Sequence, residues 1–146
     1  MAKEESKEEY IVLVGDDSED DRLFMRRILR RLPGVSRIEE VHDGHEVISY
    51  LDGAPPFDDR KAHPLPHLLI LDLKMPCKTG HEVLEWLQTS PYREISVIVV
   101  SGSALPADIS TSLGLGASAY HQKSAMQTDQ SLLLEKIAAI LKKRLS

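Results

Sequence analysis

An uninterrupted apolar run, Leu68–Leu71, constrains the fold of this 146-residue chain more than any other feature. A strand that is apolar throughout is buried on both faces, which is typical of a parallel sheet covered by helices. Asp72 follows the run directly, and an unpaired carboxylate is costly to bury inside such a strand. Open α/β sheets bind their ligands at the carboxyl ends of their strands. We therefore expect Asp72 to lie at the edge of the sheet, where it is the first candidate for chemistry.

Strand-like and helix-like segments alternate five times along the sequence. We predict strands at residues 10–14, 36–41, 68–73, 95–100 and 117–122. We predict helices from Ser18 to about Leu32, from Asp43 to Asp52, after Gly80, from Pro106 to Gly114, and from Thr128 or Asp129 to about Leu145. Each helical segment is long enough to cross over between two parallel strands. The alternation therefore predicts an α/β fold with one parallel sheet and helices on both of its faces.

Composition and charge limit the partners of the chain. The net charge is −5, and we find no basic surface of the kind that binds nucleic acid. No apolar stretch is long enough to span a bilayer, and the single cysteine, Cys77, suits a reducing cytoplasm. We expect a cytoplasmic protein with one domain, residues 10–146, after a flexible N-terminal leader, residues 1–9.

Polar residues lie at the carboxyl ends of four of the predicted strands, and these ends lie close together in a doubly wound sheet. Asp16 and Asp17 follow the first strand, Asp72 lies at the end of the third, Ser101 follows the fourth and Lys123 follows the fifth. Clustered carboxylates favour Mg²⁺, which takes oxygen ligands. Asp72 can act as a nucleophile that forms an acyl phosphate, while Ser101 and Lys123 hold the other phosphoryl oxygens.

The chain resembles the receiver domain of bacterial two-component response regulators over about residues 10–145. The motifs that carry the resemblance are Val14-Gly15-Asp16-Asp17, Leu71-Asp72-Leu73-Lys74-Met75-Pro76 with Gly80, Val100-Ser101-Gly102, and Ala119-Tyr120-His121-Gln122-Lys123. Their order and spacing together are highly specific. The resemblance implies a flavodoxin-like (βα)5 fold, a doubly wound parallel sheet of five strands in the order 2-1-3-4-5.

The resemblance also implies roles for the residues around Asp72, which matches the phosphoacceptor. Asp16 matches the metal-binding acid after the first strand, and the backbone carbonyl of Lys74 matches the third protein ligand of Mg²⁺. Asp17 is an additional candidate ligand.

Three further residues match the parts of a phosphorylation-dependent switch. Ser101 matches the switch hydroxyl, Lys123 the invariant cation, and Tyr120 the aromatic residue that turns inward on activation. The implied activity is that of a phosphoacceptor signalling protein with Mg²⁺-dependent self-phosphorylation and dephosphorylation, rather than that of an enzyme with a separate substrate.

The implied partners are a sensor histidine kinase or a histidine phosphotransfer protein. The proline-rich segment 54–67 and the sequence Leu71–Pro76 resemble those of stand-alone receivers that are partnered with phytochrome kinases. Because only 23 residues follow Lys123, we expect the output to be a protein contact or onward phosphotransfer.

Two positions depart from the pattern of the family. Gly15 stands where a second acid is usual, which weakens the expected metal site and leaves open whether Asp17 compensates. Ser124 replaces the proline that normally follows the lysine, so a trans peptide bond is expected, since a cis bond before a residue other than proline costs about 3 kcal/mol. The loss of the acid keeps an alternative open, namely a pseudo-receiver scaffold that no longer needs phosphorylation.

An enzyme that also uses a strand-end aspartate as its nucleophile, a phosphatase of the haloacid dehalogenase type, is the competing reading. That chemistry needs a second acid two residues after the nucleophile, and Lys74 occupies this position. The sequence therefore argues against it.

The last predicted helix has more apolar surface than one sheet face requires. Seven residues cover roughly 160° of its circumference, whereas contact with a sheet needs about 100°. They are Leu133, Leu134, Ile137, Ala138, Ile140, Leu141 and Leu145. The surplus strip predicts a surface for a partner or for a second copy of the chain, unless the small alanine merely broadens the count.

Overall fold

The computed structural model describes residues 9–144, with the backbone alone for residues 126–128 and 144. The predicted leader, residues 1–9, lies outside the described residues except for Glu9. Five parallel strands form one sheet in the order β2-β1-β3-β4-β5. The strands are β1 (Tyr10–Gly15), β2 (Val35–Val41), β3 (Leu68–Leu71), β4 (Ser96–Ser101) and β5 (Ala119–Gln122). The helices are α1 (Glu19–Leu29), α2 (Gly44–Asp52), α3 (Gly80–Gln88), α4 (Pro106–Gly114), α5 (Lys123–Thr128) and α6 (Ser131–Arg144). The predicted fold class and strand order are confirmed.

Helices cover both faces of the sheet, as its continuous apolar strands require. On one face, Ile28 of α1 and Ile137 of α6 belong to the same core cluster as Ile70 of β3. On the other face, Val47 of α2 and Leu84 of α3 belong to a second cluster. All four residues of β3 are buried, so the strand that ends at the candidate site is anchored from both sides.

The helices begin at the capping residues that the sequence supplies. Ser18 caps α1 by accepting a hydrogen bond from the Asp21 amide at 3.2 Å, and Asp43 caps α2 by accepting one from the Glu46 amide at 2.7 Å. Such caps satisfy amides that have no partner inside the helix. They fix where each helix leaves the carboxyl edge of the sheet.

The helices differ from the prediction at the end of α1 and after β5. α1 ends at Leu29 rather than near Leu32, because the amides of Arg31 and Leu32 bond to the carbonyls of Ile28 and Leu29. These bonds span three residues and form a tighter turn than an α-helix. After β5, the short helix α5 precedes α6, whereas we predicted one helix there, beginning at Thr128 or Asp129.

The apolar strip predicted on the last helix is largely covered by the core. Three of its residues are buried and two are partly buried against the same cluster, namely Leu133, Ile137, Leu141, Leu134 and Ile140. Ala138 is exposed, and Leu145 lies outside the described residues. The strip is thus narrower than the sequence indicated, and a dimer surface there stays a prediction.

The proline-rich segment between α2 and β3 is fastened to the end of α2. The Arg60 guanidinium donates hydrogen bonds to the carbonyls of Tyr50, Leu51 and His63 at 2.8, 2.6 and 3.2 Å. The Tyr50 hydroxyl donates to the Pro64 carbonyl at 2.9 Å.

None of the helices within residues 9–144 combines the length and apolar character needed to cross a bilayer.

Candidate functional site

Asp72 lies at the carboxyl end of β3, where the sequence predicted it. Its amide donates to the Gly15 carbonyl at 3.0 Å, so the pairing of β1 with β3 continues up to the site. A β-carbon on Gly80 would collide with the Asp72 carbonyl oxygen, so the first residue of α3 must be glycine for the helix to approach this closely. Asp72 is 6% exposed. The backbone around it is therefore fixed, while its carboxylate faces the sheet edge.

Three carboxylates surround the ammonium group of Lys123. Asp16 Oδ2 and Asp72 Oδ2 each lie 2.9 Å from Lys123 Nζ, and Asp21 Oδ2 lies 2.7 Å from it. The other oxygen of Asp16 accepts a hydrogen bond from the Ser18 amide at 2.9 Å. The structure thus brings Asp16, Asp72 and Lys123 into direct contact.

Sequence reasoning missed Asp21 as a member of the site. In the sequence it is explained as an acid in the first turn of α1, where it suits the positive end of the helix dipole. One signal was available: Asp21 follows Asp17 by four residues at the carboxyl edge of β1, close enough for both to face the same cleft. The cleft is lined by both residues and by Lys123, and it has a volume of about 500 Å³.

The acids form a set of oxygen donors that fits a divalent cation. Asp16, Asp17 and Asp72 each offer a carboxylate oxygen, and these three oxygens lie within 4.8 Å of one another. The Lys74 amide donates to Asp72 Oδ1 at 3.4 Å, and Lys74 lines the same cleft. Mg²⁺ prefers oxygen ligands of this kind and usually keeps several waters. Asp17 therefore lies close enough to act with Asp16 and Asp72.

Ser101 and Tyr120 are linked through a residue that the sequence did not single out. Ser101 is fully buried at the end of β4 and lines the cleft. Its hydroxyl accepts a hydrogen bond from the Ser103 amide at 3.3 Å, and the Tyr120 hydroxyl donates to the Ser103 carbonyl at 2.8 Å. Ser103 connects the predicted switch hydroxyl to the predicted switch aromatic.

The electrostatics of the pocket follow from burial and from the ion pairs. Burial raises the pKa of the Asp16 carboxyl by more than the hydrogen bonds from Ser18 and Lys123 lower it. Burial lowers the pKa of Lys123, but hydrogen bonds to Asp21, Asp16 and Asp72 outweigh it, so the pKa is raised. Lys123 is therefore a permanent cation at neutral pH, and its single charge offsets only part of the negative charge of the three carboxylates around it.

The replacement of proline by Ser124 does not carry Lys123 away from the acids. Among the described residues the only cis peptide bond is Pro55-Pro56, so the bond before Ser124 is trans, as expected. Lys123 is the first residue of α5. The chain enters this helix directly after β5 while the ammonium group reaches back to the acids.

Known proteins share this sequence pattern. The family model for the response regulator receiver domain matches residues 12–138. The probable methanogenesis regulatory protein FilR2 of Methanothrix harundinacea is 28% identical over 134 residues, which cover 91% of this chain and 84% of FilR2. The response regulator Rcp1 of Synechocystis is 27% identical over 122 residues, which cover 83% of this chain and 81% of Rcp1.

Solved structures share the fold. The phosphorylated cyanobacterial phytochrome response regulator RcpA matches with a TM-score of 0.77 and 28% identity, over 94% of this chain and 95% of RcpA. The Mn²⁺-bound form of Rcp1 matches with a TM-score of 0.73 and 25% identity, over 90% of this chain and 91% of Rcp1. The resemblance inferred from the motifs is confirmed.

Proposed function

The chain belongs to the response regulator receiver domain family, and on this premise we propose that it is a single-domain response regulator whose Asp72 accepts a phosphoryl group. The donor is a histidine kinase or a histidine phosphotransfer protein. The observation that carries the proposal is the contact of Lys123 Nζ with Asp72 Oδ2, at 2.9 Å, inside an acidic pocket. A cation held against a buried carboxylate is what phosphoryl transfer to that carboxylate requires.

The transfer exchanges one bond to phosphorus for another. A carboxylate oxygen of Asp72 attacks the phosphorus of a phosphohistidine, the P–N bond breaks, and its electron pair stays on the imidazole of the donor. The product is an acyl phosphate on Asp72. Because the transition state is loose, the protein contributes mainly positioning and charge stabilisation. Lys123 supplies one fixed positive charge for the phosphoryl oxygens.

The donor set supports Mg²⁺ as the cofactor of this step. Asp16, Asp72 and the backbone carbonyl of Lys74 would hold the ion, with Asp17 as a further ligand near the position that Gly15 leaves without an acid. When bound, Mg²⁺ offsets the negative charge that the phosphoryl group brings to these carboxylates. The relative Rcp1 has a Mn²⁺-bound form, which supports the same assignment.

The switch operates through the Ser101–Ser103–Tyr120 connection. A phosphoryl oxygen on Asp72 attracts the Ser101 hydroxyl, which then gives up the hydrogen bond that it accepts from the Ser103 amide. The Ser103 carbonyl holds the Tyr120 hydroxyl, so the movement reaches β5 and favours the inward orientation of Tyr120. Phosphorylation shifts an equilibrium between two arrangements of this face and thereby changes protein contacts.

The similarity to the phytochrome response regulator RcpA supports a phytochrome-type kinase as the donor. Phosphotransfer profiling against the histidine kinases of the source genome tests this, and preferential labelling by another class of kinase would contradict it.

A homodimer is the further partner to test. Sedimentation with and without phosphorylation measures the oligomeric state, and a monomer in both states would exclude a homodimer.

The proposed function favours a cytoplasmic location, which also suits the single cysteine of the chain, Cys77.

Acetyl phosphate labelling tests the central proposal. With Mg²⁺, the wild-type protein should gain the mass of one phosphoryl group, and hydroxylamine should remove it, as expected for an acyl phosphate. Asp72→Asn should abolish labelling. Asp58→Asn, a matched change at an exposed acid in the loop before β3, should not, and a chelator should prevent labelling of the wild type.

The alternative function, a pseudo-receiver scaffold, makes the opposite prediction. It draws support from Gly15, where the second acid of the family is absent. If the folded wild-type protein gains no phosphoryl group, and Asp72→Asn leaves its protein contacts unchanged, the scaffold is the correct function.

A further inference from the structure

The ammonium group of Lys123 has all three of its donors engaged before any phosphoryl group arrives. An ammonium carries three N–H donors and no acceptor, and here it contacts one oxygen each from Asp16, Asp21 and Asp72 at 2.9, 2.7 and 2.9 Å. For Lys123 to donate to a phosphoryl oxygen, one of these three bonds must be given up.

Asp21 is the partner that is free to release Lys123. Asp16 and Asp72 are both buried, at 7% and 6% exposure, and both are needed at the metal and at the point of transfer. The side chain of Asp21 is 36% exposed, so water can solvate its carboxylate once the ion pair opens. The bond to Asp21 is also the shortest of the three, so it competes directly for the lysine.

The position of Asp21 is fixed by the local fold. Its amide donates to the Ser18 hydroxyl at 3.2 Å, which holds it in the first turn of α1. From there its carboxylate lines the same cleft as Asp72 and Lys123. Its negative charge therefore faces the space that the phosphoryl group would occupy.

We propose that Asp21 is a positioning residue that withholds one donor of Lys123 from the incoming phosphoryl group and so lowers the affinity of the Asp72 site for it. The inference rests on the proposed function, because it concerns the same phosphoryl group. Two effects act in the same direction: Asp21 competes for a hydrogen bond of Lys123, and its charge repels the phosphoryl oxygens. Removal of its carboxylate therefore strengthens binding at Asp72.

A purely structural ion pair would behave in the opposite way. If Asp21 served only to hold Lys123 beside the acids, its removal would loosen the lysine and weaken binding of a phosphoryl group. The sign of the change in affinity thus separates a competing acid from a supporting one.

Titration with beryllium fluoride, a mimic of the phosphoryl group, in saturating Mg²⁺ tests the proposal on the full-length protein. Asp21→Ala should bind the mimic about three- to tenfold more tightly than the wild type, which is the range expected for one recovered hydrogen bond. Asp20→Ala is the matched control, since Asp20 lies in the same turn of α1 and is exposed. It should bind like the wild type. Asp21→Glu, which keeps the carboxylate, should also bind like the wild type, and urea unfolding should show that all variants are folded.

Unchanged or weaker binding by Asp21→Ala overturns the inference, and so does a tightening that Asp20→Ala or Asp21→Glu shares. In these cases the wild type still binds the mimic, and the proposed function stands. If the wild type binds no mimic and acetyl phosphate leaves Asp72 unlabelled, the proposed function itself fails.

Discussion

Val47 of α2 fills the space beside Gly15 at the end of β1: a β-carbon on Gly15 would lie 2.7 Å from Val47 Cγ2. Real β-carbons do not approach other atoms this closely, so a side chain at position 15 requires Val47 to move. Val47 is fully buried in the core between α2 and the sheet. A side chain at position 15 is therefore disfavoured by packing in this chain, while Asp17 and Asp21 line the pocket and add negative charge to it.

The first prediction concerns this packing. Gly15→Asp should lower the free energy of unfolding by about 1–3 kcal/mol, the usual cost of overpacking. In Val47→Ala the space is open, so the same change should cost less by at least about 0.5 kcal/mol. A double-mutant cycle from urea unfolding measures this coupling. Gly15→Ala, which adds the β-carbon without the charge, isolates the steric part, and strictly additive effects would show that Val47 does not restrict position 15.

The second prediction concerns the competition between Lys123 and the metal ion. Removal of the ammonium in Lys123→Met should raise the affinity of the pocket for Mg²⁺, because a positive charge next to Asp16 and Asp72 opposes a divalent cation. Two unit charges about 4 Å apart interact by about 1 kcal/mol in water and about 4 kcal/mol near a protein surface. The Mg²⁺ affinity should therefore rise at least about fivefold when the ammonium is removed. Calorimetric titration with Mg²⁺ measures it.

The control for this change is Lys61→Met, which removes an exposed lysine from the loop before β3. It should leave the Mg²⁺ affinity unchanged. Equal or weaker Mg²⁺ binding by Lys123→Met would mean that the ammonium organises the carboxylates rather than competing for them. Labelling by acetyl phosphate should be lost in Lys123→Met in either case, since the fixed charge for the phosphoryl oxygens is gone.

The sequence predicted those features of the site that follow from local pattern. Asp72 could be placed because an apolar strand cannot contain an unpaired carboxylate and must deliver it to the sheet edge. Asp21 could not be placed, because its contact with Lys123 joins residues 102 positions apart, and a first-turn acid is already explained by the helix dipole. The helix α5 gave no local signal either, since Gln122 before it makes no side-chain capping bond.

The third prediction is a pH dependence of stability that arises from His121. Burial lowers the pKa of this histidine from its usual value of 6.5, and the nearby Lys136 ammonium, with Nζ 3.3 Å from the ring Nδ1, lowers it further. Well above pH 6.5 the ring is neutral in both the folded and the unfolded state. Below it the unfolded chain takes up a proton that the folded protein resists, so stability falls as the pH falls, with a limiting slope of about 1.4 kcal/mol per pH unit.

The variant His121→Leu should lack this component. Its free energy of unfolding, compared with that of the wild type, should stay constant between about pH 8 and pH 7 and should rise as the pH is lowered from there to about 5. Urea unfolding at each pH measures the difference, in which the contributions of the other titrating groups cancel. A difference that does not change with pH would mean that the folded protein accommodates the protonated ring beside Lys136.

The fourth prediction concerns Arg60, which fastens the proline-rich segment to the end of α2. Its guanidinium donates hydrogen bonds to the carbonyls of Tyr50, Leu51 and His63. The carbonyls at the end of a helix have no hydrogen-bond partner within that helix. Arg60→Ala should lower the free energy of unfolding by about 1.5–3 kcal/mol. Arg60→Lys should recover only part of this loss, because an ammonium cannot reproduce the fork of planar donors.

Phosphorylation of Asp72, which lies at the edge of the sheet, should persist in the folded fraction of both variants. Urea unfolding combined with acetyl phosphate labelling measures the two effects separately, and full recovery by lysine would reduce the role of Arg60 to its charge.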